Sequence, residues 1–269
     1  MDLNADLGEG FGAWRLGDDE ALLSVVTSAN VACGFHAGDA ATMRRVCSLA
    51  ASSGVAVGAQ VGYRDLAGFG RRRIEYALDE LRDEIIYQVG ALSALAASEG
   101  TTVRYVKPHG ALYNVAAVDD GQASAVVSAA LDCGRLPVLC QPGSRLAALA
   151  SAAGLRVVGE GFADRGYLAS GRLVARTSPG ALVTSVDEVC ARVVRLATTG
   201  TLVAVTGETI SIAVESICLH GDTPGAVTMA RAVREALTAA GVPLAPFAPL
   251  TPFAPLAPQT SAGVEPAQD

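Results

Sequence analysis

Lysine is almost missing from this chain. Lys107 is the only one, against nineteen arginines. Histidine is nearly as scarce, with His36, His109 and His220 alone. Aromatic residues make up 5% and tryptophan occurs once. No apolar run approaches the roughly 20 residues of a membrane-spanning helix. The six cysteines, Cys33, Cys47, Cys133, Cys140, Cys190 and Cys218, contain no CxxC pair. That argues against a zinc ribbon or a disulfide frame, and for small buried residues in a reducing compartment. The net charge of -7 leaves no basic footprint for nucleic acid or an anionic membrane. The phosphate-binding pattern GxxxxGK[ST] is absent, so no nucleotide site follows from the sequence. The first residues, "MDLNADLGEG", carry acids where a secretory signal needs basic and then apolar residues. The expected location is cytoplasmic.

Apolar material is plentiful, at 51% of 269 residues. Short β-type runs alternate with amphipathic stretches. The strand candidates are "MDLNADL", "SANVACG", "GVAVGAQ", "VRYVKPH", "LPVLCQ", "LRVVGEG" and "ESICLHG". Between them, Leu78, Leu81, Ile85, Val89, Leu92 and Leu95 recur at helical spacing before Gly100. Asp39 and Gly54 bracket another helix as N-cap and stop, and Ser185 with Glu188 opens a third as a capping box. "YLASGRLVAR" and "TLVAVTGETISIAV" read as small β-hairpins around Ser-Gly and Thr-Gly turns. From about Pro246 proline becomes dense, so residues 1–245 are the expected domain and 246–269 a disordered or polyproline-like tail outside it.

Seven β-α units fit either an open doubly wound sheet or a closed barrel. An open sheet gathers ligand groups at one switch point, on two or three strands. Here polar residues mark at least five strand ends: Asp6 with Glu9, His36, Gln60, Lys107 with His109, and His220 with Asp222. A closed ring brings that many ends to one centre, so a seven-stranded (β/α) barrel with two small hairpin insertions is expected.

The lone lysine is the sharpest candidate. Lysine aims one compact charge into a narrow site where the wide arginine fork does not fit. In a strand, Lys107 and His109 project to the same face. Asn4 and Asp6 alternate with apolar neighbours, which on a barrel strand points them inward, where a carboxylate needs partners. Gly8, Gly10 and Gly12 allow tight turning behind them. "GFGRRR", residues 68–73, could meet an anion or form a solvated face. In "GFADRG", Asp164 and Arg165 could pair with each other or with substrate, beside Glu160 at the strand end.

The segments "DLNADLGEGFG", "SANVACGFHAGD", "GYRDLAGFGRR", "VKPHGALYN", "FADRGYLASGRLVAR" and "SICLHGD" occur in order and with matching spacing. Together they resemble the LamB/YcsF family over residues 1 to about 245. The chain departs from the family pattern where "GAHP" is replaced by "GAQV", which puts Gln60 and Val61 in place of a histidine and a proline. It also carries Ala5 where a cysteine is usual and Ala40 where a proline is. Gln60 can hydrogen-bond but cannot shuttle protons near neutral pH.

The resemblance implies a barrel akin to glycoside hydrolases and deacetylases. It also implies ATP-dependent opening of the 5-oxoproline lactam to L-glutamate, with B and C subunits as partners handling the ATP. On that basis Lys107, His109, Asp6 and His36 are the expected catalytic groups. Asn4, Glu9, Gln60, Glu160, Arg165 and His220 are the expected substrate-binding ones. Two alternatives stay open: a metal-dependent amide or acetyl hydrolase using Asp6, His36 and His220, and a regulatory or scaffold protein without catalysis of its own. A homo-oligomer is left open as well.

Overall fold

A computed structural model of the chain describes residues 1–219 and 225–250. Seven parallel strands close into a barrel. They are β1 (Asp2–Leu7), β2 (Ser28–Ala32), β3 (Ala56–Val61), β4 (Val103–Pro108), β5 (Val138–Cys140), β6 (Val157–Phe162) and β9 (Ser216–Leu219). The last pairs with both β6 and β1 and so seals the ring. Between β6 and β9 lie a long loop and an antiparallel hairpin, β7 (Thr201–Val203) with β8 (Thr209–Ser211). The outer layer is α1 (Asp19–Leu23), α2 (Ala40–Ser53), α3 (Leu78–Ser98), α4 (Gly110–Ala116), α5 (Asp120–Asp132), α6 (Arg145–Ala152), α7 (Val186–Thr199) and α8 (Ala226–Ala239).

Local chemistry accounts for these boundaries. Asp39 Oδ1 accepts the Thr42 N–H at 2.8 Å and starts α2, while Gly54, at φ +65°, ends it. Ser185 Oγ accepts the Glu188 N–H and starts α7. Leu81, Ile85, Val89 and Leu92 of α3 are buried at helical spacing against the barrel. Leu78, at the first residue of that helix, is 49% exposed instead, because the helix opens there at the surface.

Two expectations change. "YLASGRLVAR" forms a turn with one isolated bridge, Tyr167 to Leu173, rather than two strands. Its ends are tied by the Leu168 N–H to Arg172 O bond at 2.8 Å. Packing also continues past residue 245. Phe247 and Ala248 are buried with Tyr105, Leu139 and Val158, and the Phe247 ring lies 4.7 Å from that of Tyr105. Arg156 donates to Phe247 O at 2.6 Å and Arg104 to Pro249 O at 2.8 Å. Both arginines stand at the N-terminal ends of strands, so this segment crosses the lower mouth of the barrel and covers it. Proline prevents regular structure there but not docking, since side-chain burial and carbonyl acceptors need no ladder. The remainder of the proline-rich tail, residues 251–269, lies outside the described residues.

The barrel interior is polar along one side. Asp2 accepts from Thr27, Ser28 and Ser216 near the bottom. Asn4 donates to Ser216 Oγ at 2.7 Å, Asn30 donates to Asn4 Oδ1 at 2.7 Å and to Asp6 Oδ1 at 2.9 Å, and Lys107 donates to Asp6 Oδ1 at 2.8 Å. This is one continuous ladder from floor to mouth. Each rung satisfies a group that would otherwise cost about 1–3 kcal/mol to bury. Tyr105 closes the middle layer by donating to Asn30 Oδ1 at 2.7 Å. Its ring needs Gly58, where a Cβ would overlap the ring, and the β3–β4 register shifts at that point.

Candidate active site at the barrel mouth

The alternation of β1 and β4 points Asp6 and Lys107 up the same axis from opposite sides of the ring. Lys107 Nζ lies 2.8 Å from Asp6 Oδ1 and 2.9 Å from Glu160 Oε1, and it is 3% exposed. Cys218 Sγ sits 3.4 Å from the same nitrogen, and the Phe162 ring centroid 5.7 Å. Burial by itself pulls the Lys107 pKa down. The two carboxyl groups outweigh it and hold the ammonium well above its ordinary value. Burial pushes the Cys218 thiol well up, so it stays neutral.

His109 follows β4 directly and caps α4 in extended backbone, its N–H held by Val61 O at 2.7 Å. Gly110, at φ +56°, then turns the chain; a Cβ there would meet Gly70 O at 2.6 Å. His36 arrives from the loop after β2. The two imidazoles stack with centroids 4.0 Å apart and planes 17° apart, and Phe69 meets His109 edge-on at 5.2 Å. Burial lowers His36 to about 4. Burial, then the neighbouring His36, Lys107 and Arg71, hold His109 well below its usual range, so both rings are neutral at pH 7.

Behind this pair, Gln60 Nε2 donates to Glu9 Oε1 at 3.3 Å and Gln60 Oε1 faces His36 Nε2 at 3.1 Å. The carboxylate can only accept, which orients the Gln60 amide. His36 then carries its proton on Nε2. Glu9 Oε1 is also 3.8 Å from His109 Nε2.

A cavity of about 540 Å³ opens above these groups. Of the residues nominated from sequence, Asp6, Lys107, His109 and Arg165 line it. Glu160 stands behind Lys107, and His36, Gln60 and Glu9 stand behind His109. Asn4 is fully buried one rung below Asp6, its amide engaged by Ser216 and Asn30, so it props the floor rather than touching a ligand. Arg165 is 6% exposed and donates to Ala181 O and Val174 O. It pins the loop after β6 over the mouth. His220 and Asp222 lie outside the described residues.

The sequence reading missed Tyr113, Phe162 and Asn114 on the cavity wall, and the loop arginines Arg172 and Arg176. The signal for Tyr113 was present: it falls four residues after His109, on the same face of α4. Burial, with Glu160 nearby, raises its hydroxyl well above the usual value. The "GFGRRR" cluster divides. Arg71 lines the cavity, while Arg72 pairs with Asp65 and Arg73 with Glu75.

Glu9, His36 and His109 are also the buried set among the described residues whose ligand atoms lie close enough, within 4.8 Å, to hold a metal ion. Asp6 is not in it, being taken up by Lys107 and Asn30. His36 Nε2 is turned to Gln60, which leaves its Nδ1, buried and without a hydrogen-bond partner among the described residues, as the nitrogen able to ligate.

The sequence model of the LamB/YcsF family matches residues 1–252. The 5-oxoprolinase A subunit of Streptomyces avermitilis is 61% identical over 249 residues, spanning 92% of this chain and all of that protein. That of Mycolicibacterium gilvum is 57% identical, spanning 92% and 98%. The crystal structure of a lactam utilization protein from Thermus thermophilus superposes with a TM-score of 0.88 at 42% identity, covering 91% of this chain and 98% of that one.

Proposed function

Because the chain belongs to the LamB/YcsF family, we propose that it is the A subunit of an ATP-dependent 5-oxoprolinase that opens the 5-oxoproline lactam to L-glutamate. The names of the relatives support this reading. The observation that carries it is a buried ammonium at the cavity floor, fixed between two carboxyl groups and beside a neutral imidazole. A lactam is a resonance-stabilised amide, and its opening is readily reversed by ring closure. Phosphorylating the lactam oxygen makes the carbon a better electrophile. The chain has no P-loop, so partner B and C subunits would handle the ATP.

Water then adds to the activated carbon. The ring C–N bond breaks as the nitrogen gains a proton, leaving γ-glutamyl phosphate, which a second water hydrolyses to glutamate and phosphate. Lys107 would stabilise the negative charge that gathers on oxygen in the tetrahedral adduct. His109, neutral in its buried position, would take the proton of the attacking water and return it to the leaving nitrogen. Asp6 and Glu160 hold Lys107 in place, and Glu9, Gln60 and His36 hold His109 from behind. Tyr113 and Phe162 form the wall against which the ring would lie.

The test is reconstitution of the chain with its B and C partners, ATP and 5-oxoproline. Glutamate is assayed while each component is omitted in turn. Lys107→Ala and Lys107→Arg are each expected to lose at least a hundredfold in kcat. Near-wild-type turnover by both would remove Lys107 from the chemistry.

The Glu9, His36 and His109 cluster favours a second reading, a metal-dependent amide hydrolase. It requires stoichiometric metal after purification without added ions, and activity abolished by chelation in the absence of ATP.

A further inference from the structure

At the cavity floor one ammonium answers two carboxyl groups. Lys107 Nζ meets Asp6 Oδ1 at 2.8 Å and Glu160 Oε1 at 2.9 Å. A substrate oxygen that gathers charge there draws on a cation already shared. A second donor, neutral and tied to no counter-ion, would complete the cradle for that oxygen.

Other donors on the cavity wall are committed to the protein. The Asn114 amide donates to Gly110 O at 2.9 Å, and Arg165 donates to Val174 O and Ala181 O. Tyr113 differs. It lines the same cavity and is 5% exposed, yet its hydroxyl is buried without a hydrogen-bond partner among the described residues. An unpaired buried hydroxyl costs stability, and phenylalanine would fill the same space without that cost. In a cavity wall, such a group points to a ligand that pairs it.

The ring is held in place by its surroundings. Phe162 meets it edge-on, with centroids 5.7 Å apart and planes at 89°. Cys218 and Leu173 pack beside it. Lys107 borders two of the same neighbours, with Cys218 Sγ 3.4 Å and the Phe162 centroid 5.7 Å from Nζ. Phenol and ammonium therefore share one corner of the cavity. Burial, with Glu160 nearby, keeps the hydroxyl protonated at neutral pH, so it can donate.

We infer that Tyr113 is a further catalytic residue, whose hydroxyl donates a hydrogen bond to the substrate oxygen that Lys107 also faces. The inference rests on the oxoprolinase reading for the identity of that oxygen, which is the one that gathers charge in the tetrahedral adduct. Tyr113 keeps its proton throughout, so no bond to it forms or breaks. Its hydrogen bond strengthens as charge builds on the acceptor, which favours the transition state over the bound substrate.

The experiment compares the wild-type full chain with Tyr113→Phe, which removes one oxygen and keeps the ring. In the complex reconstituted with B and C partners, ATP and 5-oxoproline, kcat is expected to fall roughly a hundredfold, the size usual for one oxyanion donor, with KM moved less than about threefold. The urea midpoint of the chain alone should stay level or rise, because no protein partner is lost. A lower midpoint would make the hydroxyl a structural donor and overturn the inference. An unchanged kcat would overturn it as well, and leave the oxoprolinase reading standing. Titration calorimetry of the full chain with 5-oxoproline, and with 2-pyrrolidinone as the ring amide lacking a carboxylate, separates the two ideas. A wild-type complex that releases no glutamate counts against the oxoprolinase reading. Tyr113 as donor then stands if Tyr113→Phe weakens binding of either probe by roughly fivefold, the worth of one hydrogen bond. It falls if both proteins bind the probes alike or neither binds them.

Discussion

Replacing Lys107 by methionine removes one positive charge and little volume. Both carboxylate oxygens lie within 2.9 Å of Nζ, so without it they face each other across at most about 6 Å. At an effective dielectric constant of about 20 their repulsion is about 3 kcal/mol. Breaking a buried ion pair by deleting one partner costs about 3–5 kcal/mol, which agrees. The expected result is a Tm lower by roughly 10 °C for a chain of this size. Urea denaturation at neutral pH is the assay, with wild type and variant compared under the same conditions. Lys107→Met/Glu160→Gln should recover much of the loss, because one of the facing charges is gone. A loss below about 1 kcal/mol, or a double variant no more stable than the single one, would refute the view that the ammonium holds this site together.

The buried His36 should make stability fall in mild acid. Its folded pKa of about 4 lies below the unfolded value near 6.5, so the unfolded chain binds the extra proton first. Stability is fully present above about pH 6.5 and is lost towards pH 4, by roughly 3 kcal/mol in all. Asp2, raised by burial, offsets part of this slope, while His109, also held down by burial, adds to it, so a His36→Gln variant should reduce the slope in a urea titration without removing it. Gly58→Ala sets a methyl group into the Tyr105 ring and should lower stability by about 1–3 kcal/mol or more; an unchanged urea midpoint would show that the ring has room to move. Phe247→Ala uncovers Tyr105 beneath the barrel and should cost about 3–5 kcal/mol, whereas a loose tail would register no change.

Much of the candidate site was legible before folding. The scarcity of lysine singled out Lys107, and the two-residue spacing set His109 on its side of β4. The match between polar residues and strand ends implied a ring, and the ring is closed. The partners of Lys107 were less legible. Asp6 is 101 positions away and was named, and Asn4 was named as a substrate-binding group, but Asn30 and Ser216, which complete the ladder beneath Asp6, were not. Asn4 looked like a ligand group because inward alternation cannot tell the rim of a barrel from the layer below it. Proline density near residue 246 marked the end of regular structure, yet Phe247 and Ala248 are core. Composition reports the loss of backbone donors and says nothing of which apolar side chains find a surface.

Local pattern therefore determined most elements of this protein, their order and the candidate residues for chemistry. Periodicity, caps and turn residues act over a few positions, and each is written in its own segment. Only the closed tertiary structure decided which of those residues meet. Barrel closure sets the height of every strand against its neighbours. That height placed one ammonium between two carboxyl groups, stacked two imidazoles and turned a ring of arginines over the mouth. Electrostatic and hydrogen-bonding energies depend on separations of a few ångströms, and those separations join residues far apart in the chain.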